Sequence, residues 1–204
     1  MGGEDWKLWI DQLSAAGVLA EGCRTVAYSY IGPELSHAIY RDGTIGQAKK
    51  HLEATAHELN KKLGDELGGA AYVSVNKGLV TRSSAVIPII SLYLSILFKV
   101  MKAKGTHEGC IEQMERLFAE RLYTGDNNAA GKVPVDEENR IRVDDWEMKP
   151  DVQAEVDKLM AKVNNDNIKE ICDLVGYKHD FYATNGFDVD GIDYTADVAR
   201  MDEI

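Results

Sequence analysis

The chain has 204 residues, of which 45% are apolar, and its formal net charge at pH 7 is -11. This length and apolar content are those of one sizeable globular domain or two small ones, and they exclude a disordered tail. The acidic balance argues against nucleic acid and against an anionic membrane surface as partners, because both recruit Lys and Arg. Anionic small ligands stay open, since a local patch can be basic on an acidic protein.

The cysteines do not predict a metal site. Cys23, Cys110 and Cys172 are far apart, and none has the spacing to another Cys or to a His that zinc requires. We interpret the cluster of His107, Glu108 and Cys110 as two exposed polar groups beside a buried thiol. Free thiols fit a reducing compartment, and we therefore expect a cytoplasmic protein.

The most apolar stretch, residues 85–98, is shorter than the ~20 residues that a membrane-spanning helix needs. It contains Pro88 and is followed by lysines, so we expect a buried core helix. The N-terminal segment is acidic and polar, unlike a signal or transit peptide. We expect a protein without a membrane partner.

In chain order, apolar residues at helical spacing predict an amphipathic helix over residues 4–16. Residues 24–30 are rich in β-forming residues and predict a strand, which Gly32 and Pro33 interrupt. Thr44 followed by Gln47 has the pattern of a capping box, and it predicts the start of a long helix that ends near Gly64.

The second half of the chain continues with a strand at residues 71–76 and then becomes mostly helical. Further elements follow in this order: helices 84–104 and 107–123, a loop at 126–131, a short strand or hairpin within 133–143, a helix at 150–164, and short helical pieces before an acidic tail. Strands that are each followed by a helix resemble the second half of a doubly wound α/β sheet. No GxGxxG turn occurs anywhere in the sequence, so the chain has the pattern of one half of such a fold.

Tyr40 and Lys49 form a chemically sensible pair. A phenol can donate a hydrogen bond and a proton, and a nearby ammonium group stabilises the phenolate that remains. On one continuous helix the two side chains would point in roughly opposite directions, at ~100° per residue. A break at Gly43, with a new helix starting at Thr44, lets them converge. By spacing alone, the favoured interpretation is that Tyr40 is a packing residue and that Lys49 lies on a solvated face.

The surrounding segments resemble one family. They read TVAYSYIGPE, IYRDGTIGQAKKHLEATA, VNKGLVTRSSAVIP, KGTHEGCIEQM, VDDWEM and NGFDVDGIDY. Together they are similar to the trans-2-enoyl-CoA reductases and the related FabV-type enoyl-ACP reductases, which are extended relatives of the short-chain dehydrogenases. The resemblance implies an α/β fold, namely the C-terminal half of an extended Rossmann-type fold, mostly helical with two to four strands in this chain.

The resemblance also implies roles for individual residues. Tyr40 matches the family's proton donor, and Lys49 matches the lysine that contacts NADH. Tyr30 matches a second tyrosine that contacts the substrate. The remaining implied cofactor contacts are Lys50, Leu79, Val80 and Thr81. Several of these residues also have a structural interpretation. Tyr30, Leu79 and Val80 could be core residues, and Lys50 could be a solvated helix residue. The neighbouring Ser83 and Ser84 could cap the next helix.

For the whole protein, the resemblance implies NADH-dependent reduction of the trans-2 double bond of enoyl-CoA or enoyl-ACP thioesters in fatty acid synthesis. Residues 1–125 would form the catalytic region and residues 126–204 a C-terminal helical extension. Family members are about twice as long, and the N-terminal dinucleotide-binding half has no counterpart here. A truncated gene model, a split enzyme with a separate N-terminal chain and a shortened paralogue all remain open.

Two further expectations follow. The segment NGFDVDGIDY is described in this family as flavin-binding, but its residues give no physical reason for flavin, and we expect a structural role without FAD. The alternative to an enzyme is a non-catalytic binding or scaffold protein that retains the fold and pairs with another chain through an exposed face.

Overall fold

A computed structural model describes residues 2–123 and 133–197. The helices are α1 (Glu4–Ala15), α2 (Glu34–Tyr40), α3 (Thr44–Leu67), α4 (Pro88–Ala103), α5 (Cys110–Leu117), α6 (Pro150–Met160), α7 (Ile168–Ile171) and α8 (Leu174–Ala183). The strands are β1 (Arg24–Ser29), β2 (Ala70–Val75) and β3 (Arg140–Arg142). A π-helical turn at Phe118–Leu122 extends α5.

The strands form one parallel sheet in the order β1-β2-β3. Ser29 of β1 lies opposite Val75 of β2, and Val75 lies opposite Arg142 of β3. Parallel pairing needs long crossovers, which α2 and α3 provide between β1 and β2. The predicted α/β class, mostly helical with two to four strands, is confirmed. The carboxyl ends of all three strands meet at the same edge of the sheet.

The central strand β2 is buried on both faces. Val73 and Val75 pack on α3 through Ala56, while Ala70 and Tyr72 pack with residues of α5 and β3. The predicted buried helix corresponds to α4, whose side chains from Tyr93 to Phe98 are almost completely inaccessible. A strand buried on both faces and a helix buried nearly all round are typical of the centre of an α/β domain.

The sequence-based boundaries around α2 and α3 were partly wrong. Helix α2 was not predicted; it begins directly after Pro33 and ends at Tyr40. Helix α3 extends beyond Gly64 to Leu67 and ends where Gly68 adopts a left-handed conformation, with φ 61°. Gly43 rather than Thr44 is the N-cap residue, and no side chain caps this helix. The predicted capping box is therefore absent from the structure.

Other boundaries moved for identifiable reasons. Helix α4 begins at Pro88 and not at residue 84, because proline fits the first turn, where its missing N–H is not needed. The predicted helix at 107–123 is shorter and changes to π-helical geometry, and the helix at 150–164 ends at Met160. Within 133–143 the element is a short strand that pairs in parallel with β2. The predicted loop at 126–131 lies outside the described residues.

Among the described residues, no helix has both the length and the apolarity needed to cross a membrane.

Candidate functional site

A cleft of about 610 Å³ lies at the carboxyl edge of β1 and β2. In doubly wound α/β proteins this is the edge where ligands bind. The lining side chains are a mixture of apolar, hydroxyl and amine groups. They are Tyr28, Ser29, Tyr30, Tyr40, Ile45, Lys49, Asn76, Lys77, Gly78, Leu79, Thr81, Ser83, Ser84, Ile87, Ile90 and Leu94.

The structure brings Tyr40 and Lys49 together in this cleft. Tyr40 is the last residue of α2, and Lys49 lies in the second turn of α3, as the predicted break between them requires. Lys49 Nζ lies 5.4 Å from the centre of the Tyr40 ring. The same Nζ donates a hydrogen bond to Ser29 Oγ at the end of β1, at 3.2 Å.

The close approach of α2 to α3 depends on two glycines, the predicted Gly43 and also Gly46. A Cβ atom at position 43 would lie 2.9 Å from the backbone oxygen of Ala38 in α2. The contact at Gly46 is closer still, because a Cβ atom there would lie 2.2 Å from the carbonyl carbon and oxygen of Arg41. A side chain at position 46 would therefore push the end of α2, and Tyr40 with it, away from α3.

The electrostatics of the pair are unusual. Burial lowers the pKa of Lys49 to about 8, with Glu53 opposing this change and Arg41 adding to it. Burial also raises the pKa of the Tyr40 phenol. At neutral pH the cleft therefore holds an uncharged phenol beside an ammonium group whose pKa lies close to neutrality. Such shifted values in a cleft are typical of functional sites.

Tyr30 follows β1 directly, and its ring contacts the ring of Tyr40 edge to face, with 5.0 Å between centroids. Its phenol does not point freely into the cleft; it donates a hydrogen bond to Glu147 Oε1 at 3.0 Å. Glu147 is completely buried and also accepts from Tyr93 Oη at 2.6 Å and from the Gly78 backbone N–H at 2.5 Å. Burial of a carboxylate is costly unless its oxygens are hydrogen-bonded, and these three donors meet that need.

The residues implied as cofactor contacts separate into two groups. Leu79 and Thr81 line the cleft, and Ser84 Oγ holds their turn by bonding Leu79 O at 2.9 Å and the Thr81 N–H at 2.9 Å. Ser84 thus stabilises the turn before α4 by hydrogen bonds and does not cap that helix. Val80 is buried in the core, and Lys50 is exposed and outside the cleft lining, so the structure does not bring their side chains to the site.

The cluster of His107, Glu108 and Cys110 differs from its predicted arrangement. Glu108 is buried and Cys110 is exposed, the reverse of the interpretation from sequence. The reason is Arg116 in α5, eight residues later, which binds the Glu108 carboxylate with N–O distances of 2.7 and 2.9 Å. Lys77 Nζ binds the backbone oxygen of Glu108 at 2.9 Å.

Several groups at the site were not singled out from the sequence. Ser29, Asn76 and Lys77 lie at the ends of β1 and β2, where a predicted parallel sheet directs attention to polar residues. Burial lowers the pKa of Lys77 to about 8, and its partners are backbone carbonyls, which no sequence pattern reveals. Glu147 lies 69 residues after Gly78, and no spacing rule connects them.

Comparison with known proteins identifies the family. The model described as the trans-2-enoyl-CoA reductase catalytic region matches residues 1–123, and one described as the enoyl reductase FAD binding domain matches residues 135–198. The expectation that FAD is not bound is therefore not confirmed by this comparison.

Named relatives agree. The chain is 64% identical to the trans-2-enoyl-CoA reductase [NADH] of Treponema denticola, over 100% of this chain and 50% of the relative. It is 59% identical to the enoyl-[acyl-carrier-protein] reductase [NADH] of Cytophaga hutchinsonii, over 97% of this chain and 48% of the relative. The crystal structure of the Treponema denticola reductase in complex with NAD matches with a TM-score of 0.89, at 64% identity, over 100% of this chain and 49% of that chain.

The chain thus spans about half the length of the curated relatives that it matches. The model of the catalytic region matches more than half of the residues of this chain, and the matched range includes helices α2 and α3 with Tyr40 and Lys49. This chain belongs to the family of the trans-2-enoyl-CoA reductase catalytic region.

Proposed function

We propose that this chain is the catalytic part of an oxidoreductase that reduces the trans-2 double bond of enoyl-CoA or enoyl-ACP thioesters with NADH in fatty acid synthesis. The observation that carries the proposal is the convergence of Tyr40 and Lys49 in one cleft, with 5.4 Å between Lys49 Nζ and the Tyr40 ring centre. The names of the relatives, which include both CoA and acyl-carrier-protein reductases, support the substrate class.

Tyr40 is the proposed proton donor. When an enoyl thioester is reduced at its β-carbon, negative charge develops on the carbonyl oxygen, and a hydrogen-bond donor placed there lowers the barrier. The raised pKa of Tyr40 keeps its phenol protonated at neutral pH, so the proton is available. Lys49 then stabilises the phenolate through its positive charge.

The donor groups of the cleft fit the nicotinamide riboside part of NADH, which supplies the hydride when bound. Lys49 Nζ and Ser29 Oγ are polar groups suited to ribose hydroxyls, and the Thr81 hydroxyl is suited to a phosphate or carboxamide. We propose that the backbone groups of Leu79 and Val80 contact the carboxamide. Tyr30 is proposed to contact the substrate, and Lys50 to make a supporting contact with the cofactor. The exposed position of Lys50 makes its assignment depend on the family resemblance alone.

We propose that the C-terminal region does not bind FAD. Residues 135–198 contain 17 Asp and Glu against seven Lys and Arg, a formal charge of -10. A flavin dinucleotide carries a negatively charged pyrophosphate, which this field repels. Its arginines are also engaged, since Arg140 and Arg142 pair with acidic neighbours. The purified protein is expected to lack flavin absorbance, and stoichiometric FAD would overturn this proposal.

We further propose that residues 1–125 form the catalytic region, that residues 126–204 form an extension, and that activity requires the dinucleotide-binding half found in relatives. One lysine–ribose contact does not orient a hydride donor, whereas pyrophosphate contacts at a glycine-rich turn do. That half would be a separate chain or a missing segment. The cytoplasm is the proposed location, since Cys23, Cys110 and Cys172 are all free thiols.

A non-catalytic role as a partner-binding protein is the second candidate. One observation favours it: the C-terminal segment exposes large apolar side chains, among them Phe187 at 55% and Ile192 at 57%. Exposed apolar surface marks protein interaction sites. A reductase half that pairs with its complement also needs such a surface, so activity decides between the two.

The test compares this chain alone with the same chain joined to the half of the Treponema denticola reductase that it does not match. NADH oxidation is measured with crotonyl-CoA and with a crotonyl-ACP thioester. We expect turnover from the joined protein and little or none from the chain alone. A folded joined protein that is inactive with both thioesters contradicts the enzyme, and robust turnover by the chain alone contradicts the need for a second half.

A further inference from the structure

The cleft has two sides that come from different parts of the chain. Tyr30, after β1, faces the proposed substrate side, and Gly78, after β2, begins the turn that leads to Leu79 and Thr81 on the proposed cofactor side. The pairing of β1 with β2, with Ser29 opposite Val75, brings the two segments to the same edge of the sheet. A group that contacts both can then fix the Tyr30 phenol relative to the Gly78 backbone.

Glu147 is that group. It lies in the segment between β3 and α6, within the range matched by the model described as FAD-binding. Its Oε1 accepts from Tyr30 Oη at 3.0 Å, and its Oε2 accepts from the Gly78 N–H at 2.5 Å. One rigid planar carboxylate thus fixes a side chain on one side of the cleft and the backbone on the other.

The carboxylate is itself held firmly. Tyr93 Oη from α4 donates to Oε1 at 2.6 Å, and Gln153 Nε2 from α6 binds both Tyr93 Oη and the Glu147 backbone oxygen. Glu147 is 0% exposed, so water does not compete for these bonds. Burial raises the pKa of Glu147, while the donors from Tyr93 and Gly78 and the nearby charge of Lys77 oppose that change. A carboxylate with three convergent donors orients them more sharply than a neutral acceptor does.

The surroundings of Gly78 show that the junction is tightly packed. A Cβ atom at this position would lie 2.6 Å from Leu94 Cδ2 and 3.4 Å from Tyr30 Oη. A side chain at position 78 would therefore have to displace the end of the Leu94 side chain, and it would contact the Tyr30 phenol.

We propose that Glu147 is a positioning residue of the reductase cleft, which fixes the Tyr30 phenol and the Gly78 backbone relative to each other. The proposal rests on the proposed function of the cleft and adds to it a role for the C-terminal region. That region contributes to the site through a buried carboxylate and not through a flavin.

The experiment uses the joined protein and the substitution Glu147→Met, which keeps a side chain of similar size and offers no oxygen acceptor to any of the three donors. Asp144→Leu is the matched control, because Asp144 is a similarly buried carboxylate in the same segment and binds Arg142, away from the cleft. Tyr30→Phe removes the substrate-side partner alone. Each variant is measured for melting temperature and for the KM of both crotonyl-CoA and NADH.

We expect Glu147→Met to raise both KM values, with kcat/KM for crotonyl-CoA reduced at least tenfold, and Tyr30→Phe to raise only the crotonyl-CoA KM. Asp144→Leu should lower the melting temperature by a similar amount and leave kcat/KM within about twofold of the parent. If Glu147→Met and Asp144→Leu behave alike, with stability lost and both KM values unchanged, the positioning role is overturned.

A second readout does not depend on turnover. In the chain alone, the Gly78 amide proton should exchange slowly in the parent and in Asp144→Leu, and much faster in Glu147→Met. If the parent joined protein is inactive while this exchange pattern holds, the proposed function fails and the role of Glu147 in holding Gly78 stands. Unchanged Gly78 exchange in Glu147→Met overturns the positioning role whatever the activity.

Discussion

The α2–α3 corner and the segment that follows α8 both resemble the family in sequence, but they differ in how their side chains are used. Tyr40 is 8% exposed, and the Lys49 amine binds Ser29, a residue twenty positions earlier. In the later segment Phe187 and Tyr194 are 55% and 46% exposed, and Tyr194 Oη bonds its near neighbours Gly186 and Val189.

This difference shows where chemistry can be supported. Burial of polar groups beside apolar ones shifts the pKa values of Tyr40 and Lys49. An exposed turn offers little of the desolvation that produces such shifts. Four predictions sharpen this contrast, and the first three use the joined protein.

The largest effect is expected from Tyr40→Phe, which removes the proposed proton donor. Loss of a general acid lowers kcat by about 10²–10⁴-fold, whereas stability should change little because the ring remains. The measurement is kcat with crotonyl-CoA. Tyr177→Phe is the control, since it removes a phenol that binds Ser91 Oγ at 2.8 Å outside the cleft lining. Equal rates for the two variants would show that Tyr40 has no special role.

The next effect is expected from Gly46→Ala. The new Cβ would meet the Arg41 backbone at 2.2 Å and displace Tyr40, with overpacking costing about 1–3 kcal/mol of stability and kcat falling at least ~tenfold. Gly64→Ala in the same helix is the control, because its Cβ would have only Gly69 O within 4 Å, at 3.8 Å. It should stabilise the helix by up to about 1 kcal/mol. Unchanged kcat and melting temperature in Gly46→Ala would contradict the close approach of α2 and α3.

A pH profile tests Lys49. Its pKa is lowered to about 8, so the ammonium is present at neutral pH and is lost as the pH rises through that value. We expect kcat/KM to fall above about pH 8, while the raised pKa of Tyr40 keeps the phenol protonated over the same range. Lys49→Arg keeps its charge at high pH, so its profile should stay flat at a lower rate. The same falling limb in both proteins would assign it to another group.

The smallest effect is expected from Phe187→Ser in the exposed segment. In the chain alone it should change the free energy of unfolding by no more than about 0.5 kcal/mol. Leu94→Ala in the core, at 0% exposure, should cost about 2–5 kcal/mol in the same chemical denaturation experiment. A loss at Phe187 comparable to that at Leu94 would mean that the segment is packed and not exposed.

The sequence predicted those features that are local or periodic. The parallel strands, the buried helix α4 and the break that lets Tyr40 meet Lys49 all follow from patterns within a few residues. Helix α2 was missed because seven residues after a Gly-Pro pair carry little periodic signal. The role of Gly46 depends on the approach of a different helix, and Glu147 on partners 54 to 117 positions away, so no local pattern reveals either.

The central claim is that Tyr40 and Lys49 act as one unit in the cleft. A double-mutant cycle with Tyr40→Phe, Lys49→Met and their combination in the joined protein tests it directly, with kcat/KM for crotonyl-CoA as the measurement. Residues that act together lose little more in combination than the larger single loss, and this is the result we predict. Losses that multiply would contradict the claim, because they would show that the two residues contribute independently.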